Sequence, residues 1–207
     1  MRRSHWIVLL LGLLSFSCID QQSEALLSHT DDAILHIPER LVLKTELTYH
    51  HQGAIWTLGD ELYSGFAVDY YPDHSLKEKF GILNGKKQHK TMQWYPDGHL
   101  KRVINYHKGQ LHGVKKIWSA DTLHVLIAQL NYNRGKAHGE QKKWYSTGEL
   151  YKTLNLYHGK EEGVQQAYRK NGTLYANYEA RHGRIFGLKR ATPCYELEDE
   201  NIQMAER

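Results

Sequence analysis

Apolar and polar positions alternate in short runs along most of this chain. Phe66, Val68 and Tyr70 fall on one side of such a run, with Ala67 and Asp69 between them. Met92 and Trp94 do the same over Lys90–Trp94. A period of two over about six to eight residues predicts half-buried antiparallel strands. The runs are rich in Tyr, Trp, Val, Leu and Thr, which suit a pleated surface. Turn sequences separate them: Tyr95-Pro96-Asp97-Gly98, Tyr145-Ser146-Thr147-Gly148 and Asn171-Gly172. Pro presets φ, Asp bonds nearby backbone and Gly accepts positive φ. The matching slots hold His74 and Thr122, where turn chemistry is weaker. Helix is disfavoured, because a glycine roughly every dozen residues costs about 1 kcal/mol each within helices.

The runs repeat. Gly65, His89, Gly113, Gly139, Gly163 and Gly187 open successive units, at steps of 24, 24, 26, 24 and 24 residues. Gly85, Gly109, Gly135, Gly159 and Gly183 keep the same phase, and Tyr70, Trp94, Trp118, Trp144 and Tyr168 sit five residues after the first five openings. A fixed period in the twenties marks a repeat array. The fold class expected is all-β: an elongated antiparallel sheet of stacked β-hairpin repeats, about 24 residues each, in a single-layer meander. Gly65, Gly113, Gly139, Gly163, Gly187, Trp94, Trp118 and Trp144 define the repeat. The third unit is two residues longer, placed around Leu123–Asn133, and an insertion of two keeps every side chain on its own face. Equivalent aromatics are expected to line up in a ladder worth about 0.5–1.5 kcal/mol per pair. The other reading of that stripe is a sugar- or peptide-binding surface.

Five segments follow: 1–17 a signal-like leader, 18–40 a flexible tether, 41–64 N-terminal capping strands, 65–187 the repeats, and 188–207 a C-terminal cap with an acidic tail. Leu41–Tyr49 reads as one strand, with Leu43, Thr45, Leu47 and Tyr49 on one face. Ala54–Leu58 reads as a second, followed by a Gly59-Asp60 turn. Both are expected to cap the first edge of the array, because an open edge invites pairing with other chains.

The leader has Arg2 and Arg3 at its start and a mostly apolar stretch from Trp6 to Phe16. That core is shorter than the roughly twenty residues of a spanning helix. Ser15-Phe16-Ser17-Cys18 resembles a bacterial lipobox, with Phe16 a departure from the usual form. The resemblance implies cleavage before Cys18 and diacylglycerol on its sulfur. The lipid bilayer is then a partner through acylated Cys18, and the location is the bacterial cell envelope, with the outer membrane expected. Two acyl chains hold a protein stably at a membrane where one does not. The alternatives are an uncleaved anchor and an ordinary secretory signal. The chain has two cysteines, so a lipidated Cys18 leaves Cys194 without a disulfide partner.

Charge narrows the partners. Lys and Arg number 27 against 23 Asp and Glu, and loss of Arg2 and Arg3 brings the chain closer to neutral. That balance does not announce a nucleic-acid binder. Lysine pairs at Lys86-Lys87, Lys115-Lys116 and Lys142-Lys143 fall at different repeat slots, and neighbours on a strand face opposite ways. His112 and His138 share one slot, and His158 and His182 another. Facing imidazoles one repeat apart would make a metal site or a pH-sensitive seam. The competing reading is a polar turn residue beside glycine. His-Glu-x-x-His, a phosphate loop and Gly-x-Ser-x-Gly are all lacking in the sequence. No catalytic residue, metal or cofactor is assigned.

Tyr63-Ser64-Gly65, the Gly-x-x-x-x-Trp-Tyr-x-x-Gly-x-Leu run at 139–150, and Tyr157-His158-Gly159-Lys160-Glu161-Glu162-Gly163 resemble MORN-type repeats. They are most similar to a variant branch often called an antitoxin family. The likeness covers about Gly53 to Gly187. It implies an extended sheet of stacked hairpins, roles in scaffolding or in protein or phospholipid contact, and no shared catalytic residues. His89 in place of glycine and the irregular Ala120–His124 stretch depart from the pattern. The function expected is a non-enzymatic, lipid-anchored envelope protein whose sheet meets an unidentified protein partner or the membrane. Tyr71, Tyr95 and Tyr145, with Lys115, Lys142 and Lys143, are the candidate contact residues. The alternative is an antitoxin or immunity-type protein that binds a toxin. A third reading, an enzyme on envelope polymers, needs a deep cleft with converging carboxylates.

Overall fold

A computed structural model of the chain describes residues 36–188. The chain divides into two compact units, Met1–Ile37 and Pro38–Arg207, and every described strand belongs to the second. Its N-terminal part holds β1 (Leu41–Leu43), a single 3₁₀ turn (Lys44–Glu46), β2 (Thr48–His50), β3 (Ile55–Leu58) and β4 (Glu61–Leu62). Two hairpins follow, β5 (Gly65–Tyr70) with β6 (Leu76–Leu83) and β7 (Lys86–Trp94) with β8 (Leu100–His107). Then come β9 (Gln110–Leu111), β10 (Gly113–Trp118), β11 (Leu126–Asn133), β12 (Lys136–Ala137) and β13 (Gly139–Trp144). The series ends with β14 (Leu150–Tyr157), β15 (Lys160–Glu161), β16 (Gly163–Tyr168), β17 (Leu174–Arg181) and β18 (Arg184–Leu188).

The repeats form one open, all-β sheet of 15 strands whose edges are β1 and β18. From β5 onward the strands pair antiparallel in chain order, with the short β9, β12 and β15 pairing the same preceding strands as the β10, β13 and β16 that follow them, the meander that the period predicts. Two turn types alternate. At one end, Asn84-Gly85, Lys108-Gly109, Arg134-Gly135, His158-Gly159 and His182-Gly183 all have positive φ at both residues. That is the type I′ hairpin turn, whose twist matches that of the strands it joins. His158 and His182 are therefore turn residues. At the other end, Asp73, Asp97, Asp121 and Asn171 each accept the backbone N–H two residues on. His74 takes the left-handed conformation that Gly98 takes one unit later, so the weak-looking turn forms all the same. The two extra residues of the third unit lie in this turn, not in the strand. Ser119 N–H reaches across to Val125, where Tyr95 reaches only to His99.

Gly113, Gly139 and Gly163, three of the unit-opening glycines, mark bulges. Leu111 pairs with Tyr106, yet Lys116 pairs with Val103, so the returning strand carries two extra residues at this point. Gly139 sits in the equivalent bulge at φ +80°, and a Cβ there would meet only Asn131 Cβ, at 3.8 Å. Backbone conformation, not space, selects glycine. His89 adopts φ +59° at the same slot, so the sequence departure leaves the architecture intact.

A bulge strands backbone polar groups, and here side chains recover them. Gln141 Nε2 donates to Asn131 O at 2.9 Å, and its Oε1 accepts from Asn131 N at 2.9 Å. Gln165 does the same to Asn155, at 2.7 and 3.0 Å. Asn105, Asn131 and Asn155 in turn donate through Nδ2 to the carbonyls of Val114, Glu140 and Val164. Gln165 is fully buried. Gln165→Ala leaves the Asn155 N–H unsatisfied, while its C=O keeps the Glu162 N–H at 3.0 Å, and is expected to cost about 1–3 kcal/mol in chemical denaturation, with faster exchange of the Asn155 amide. A loss under about 1 kcal/mol would show that water replaces the glutamine.

The N-terminal residues correct one expectation. Leu41–Tyr49 is not a single strand. Glu46 accepts the Leu43 N–H at 2.7 Å, and the 3₁₀ turn breaks the run. Leu41–Leu43 then pairs parallel with β5 and covers the first edge. Leu47 turns into the core, and β2, β3 and β4 form a separate three-stranded sheet. That sheet lies over one face of the first hairpins: Trp56 stands 5.1 Å from Phe80, and Trp56 N–H donates to Gly85 O. Leu47, Trp56, Tyr63, Ala67, Phe80 and Ile82 make the core between the layers, flanked by Val42 and Leu58. The meander itself stays one layer thick. The C-terminal cap beyond Leu188 lies outside the described residues.

Candidate functional site

Strand register sorts the side chains onto two faces. Cross-strand partners run Gln93, Arg102, Ile117, Ala128, Lys143, Lys152, Ala167 and Ala176 along one row. The row one residue away on the other face runs Met92, Val103, Lys116, Gln129, Lys142, Thr153, Gln166 and Asn177. Lys115 is two residues from Ile117 and so shares the face of Arg102, Lys143 and Lys152. Lys142 lies on the opposite face and pairs with Glu140 at 2.7 Å. The candidate lysines are thus divided, two to one.

The first of these faces carries a basic patch. Burial, then the charge of Arg102, pushes the Lys115 ammonium below the ordinary lysine value. Lys143 and Lys152 stand directly opposite one another on β13 and β14, with Ala128 and Ala167 beside them in the row. No described carboxylate forms an ion pair with either lysine. Arg102 and Lys152 were not legible as members of this patch, because neither belongs to a lysine pair.

Tyr71, Tyr95 and Tyr145 are half-buried clasps between units. Their hydroxyls donate to the carbonyls of Trp94, Trp118 and Tyr168, at 2.8, 3.0 and 3.0 Å. At the opposite end of each hairpin, the N–H groups of Gly109, Gly135 and Gly159 donate to Lys87, Leu111 and Ala137 of the preceding unit. The expected ring ladder does not form: no ring contact joins Trp94, Trp118 and Trp144. Equivalent residues of successive hairpins are two strands apart, about 9–10 Å, beyond the roughly 7 Å reach of an aromatic pair. The same spacing separates His112 from His138 and His158 from His182. His138 instead meets Tyr157 at 5.2 Å and His158 at 5.3 Å.

At the N-terminal end of the patch face, Glu78 is a buried ionic node. It accepts from Lys44 at 2.6 Å and from Gln93 at 2.7 Å, with Lys87 at 3.8 Å. Burial pushes its carboxyl up, but the bonds from Lys44 and Gln93, with the charge of Lys87, outweigh that and leave it below the ordinary value. Lys87 is pushed down by its own burial. It lies 4.3 Å from the centre of the Phe80 ring, so Lys44 supplies the closer ion pair. The node ties the 3₁₀ turn to β6 and β7.

Cys18 lies outside the described residues. No protein-family model and no curated protein matches the chain. What the chain's own geometry establishes is an all-β array of hairpin repeats, joined between units by tyrosine hydroxyls at three turns and glycine amides at the opposite ends, with a basic patch on one face.

Proposed function

We propose that this protein is a non-enzymatic repeat scaffold, moored in the bacterial envelope through lipid on Cys18, whose sheet binds an acidic segment of a partner protein. One observation carries the reading: Lys143 and Lys152 face each other across a strand pair, and no carboxylate among the described residues pairs with either. Like charges directly opposite destabilise a sheet. The arrangement makes sense where an anion from outside completes it. Arg102 and Lys115 extend the patch along the same face, and the neighbouring alanines leave the lysines room. Tyr71, Tyr95 and Tyr145 set the spacing of the surface and are not its contact groups.

The test is a charge reversal whose stability effect runs opposite to its functional effect. Lys143→Glu places a carboxylate opposite Lys152 and is expected to stabilise the fold by about 0.5 kcal/mol. The same change is expected to cut capture of the acidic partner from envelope extracts at least tenfold, and added salt weakens the wild-type capture. Capture that survives both would remove the patch from the binding surface. Mass spectrometry of the mature N-terminus, with membrane fractionation, tests the anchor separately.

A further inference from the structure

We propose that Asp97, His99 and His124 form a binding site for a divalent transition metal of the zinc class, built between the aspartate turns of the second and third hairpins. One donor atom from each residue lies within 4.8 Å of the others. His99 Nδ1 is 3.4 Å from Asp97 Oδ1, and His124 Nε2 is 3.5 Å from Asp97 Oδ2. Zinc binds imidazole nitrogen at about 2.0–2.1 Å and carboxylate oxygen at about 2.0–2.2 Å, in tetrahedral sites. Neighbouring ligand atoms of such a site are then about 3.3–3.5 Å apart; each His–Asp separation falls near that range but to a different carboxylate oxygen, so closing the site on one oxygen draws the imidazoles inward.

The site exists because of the one irregularity in the array. His124 occupies the left-handed slot of its turn, at φ +47°. Gly98, Gly148 and Gly172 hold that slot in the second, fourth and fifth units, and glycine offers no ligand. The two extra residues of the third turn carry the His124 ring over Asp97 and His99 of the turn before. The two imidazoles stack, with centroids 3.5 Å apart and planes 8° from parallel. Imidazole lone pairs lie in the ring plane, so parallel rings do not aim at one point. Metal entry therefore requires one ring to tilt. His99, 56% exposed, is free to do so, whereas His124, 18% exposed, is held. His124 Nδ1 is buried and without a hydrogen-bond partner, so this imidazole is under-satisfied as it stands. Two imidazoles and one carboxylate suit zinc, nickel or copper better than magnesium or calcium, which take oxygen ligands. A fourth position would fall to water.

Bound metal would clamp two adjacent hairpins through their turns, independently of the basic patch. The test uses the full chain, stripped with a chelator and titrated with Zn²⁺ by calorimetry and with Co²⁺ by visible absorption. The expected result is one saturable site per chain, four-coordinate Co²⁺ bands, and a raised unfolding midpoint with Zn²⁺. Asp97→Asn and His99→Gln are each expected to weaken binding at least tenfold and to abolish the midpoint shift. His124→Asn should do the same, and asparagine tolerates the left-handed backbone. His158→Gln/His182→Gln, in turns elsewhere, should leave binding unchanged. Wild-type affinity in His99→Gln, or only weak binding spread over many histidines, would overturn the assignment.

Discussion

Phe80→Ala is expected to lower the unfolding free energy by about 3–5 kcal/mol. Phe80 is fully buried and sits where the two sheets meet. Trp56 of β3 packs on it at 5.1 Å, and Lys87 caps it at 4.3 Å. Truncation leaves a cavity with rigid walls on both sides, so the transfer cost and the cavity cost add. The loss should also be local in character. The small sheet is held over the meander by this contact and by the Trp56-to-Gly85 and Gly85-to-Tyr63 hydrogen bonds. Chemical denaturation followed by tryptophan fluorescence and by far-ultraviolet dichroism separates the possibilities. In the variant, a Trp56 transition is expected to precede loss of the strands. A change below about 1.5 kcal/mol, with coincident transitions, would mean that the small sheet is not anchored here.

Glu78→Gln is expected to cost about 2–4 kcal/mol at neutral pH. Breaking one partner of a buried ionic pair costs about 3–5 kcal/mol, because the other charge stays buried, and the partial exposure of Lys44 reduces that. The pH dependence has a definite sign. The Glu78 carboxyl is held below its ordinary value of 4.5 in the folded chain. Its contribution is therefore complete above the unfolded value and is lost as pH falls through the folded one. The gap between wild type and Glu78→Gln should close on acidification below about pH 4.5. Lys87 runs the other way. Burial lowers its folded value, so stability tied to it rises as pH climbs towards its ordinary value of 10.5. Unfolding midpoints of both proteins across pH check this, and a gap that stays constant down to pH 3 would assign the loss to packing alone.

The glycine period and the strand alternation make the hairpin array legible in the sequence, since both are local properties of the chain. What each repeated residue does was less legible. Tyr95 and Tyr145 share a slot, which suggested a surface, but a hydroxyl bonding a carbonyl 23 residues away shows only when hairpins are placed side by side. The tryptophans failed as a ladder for a reason of length: a hairpin is two strands wide. Asn131, Asn155, Gln141 and Gln165 keep the repeat phase, yet they mean little until the bulge that needs them is seen. Leu41–Tyr49 satisfied the strand pattern, and one glutamate folding back on Leu43 was enough to break it. The basic patch escaped because register across the bulges, not spacing along the sequence, aligns Arg102 with Lys143 and Lys152.

The tip contacts have a direction. Each amide of Gly85, Gly109, Gly135 and Gly159 reaches back to a carbonyl made earlier in the chain. As the polypeptide leaves the ribosome, each of these four turns meets an acceptor already in place on the unit before. Growth of the array can thus proceed like brickwork, each course laid on a finished one, without waiting for the far end of the protein.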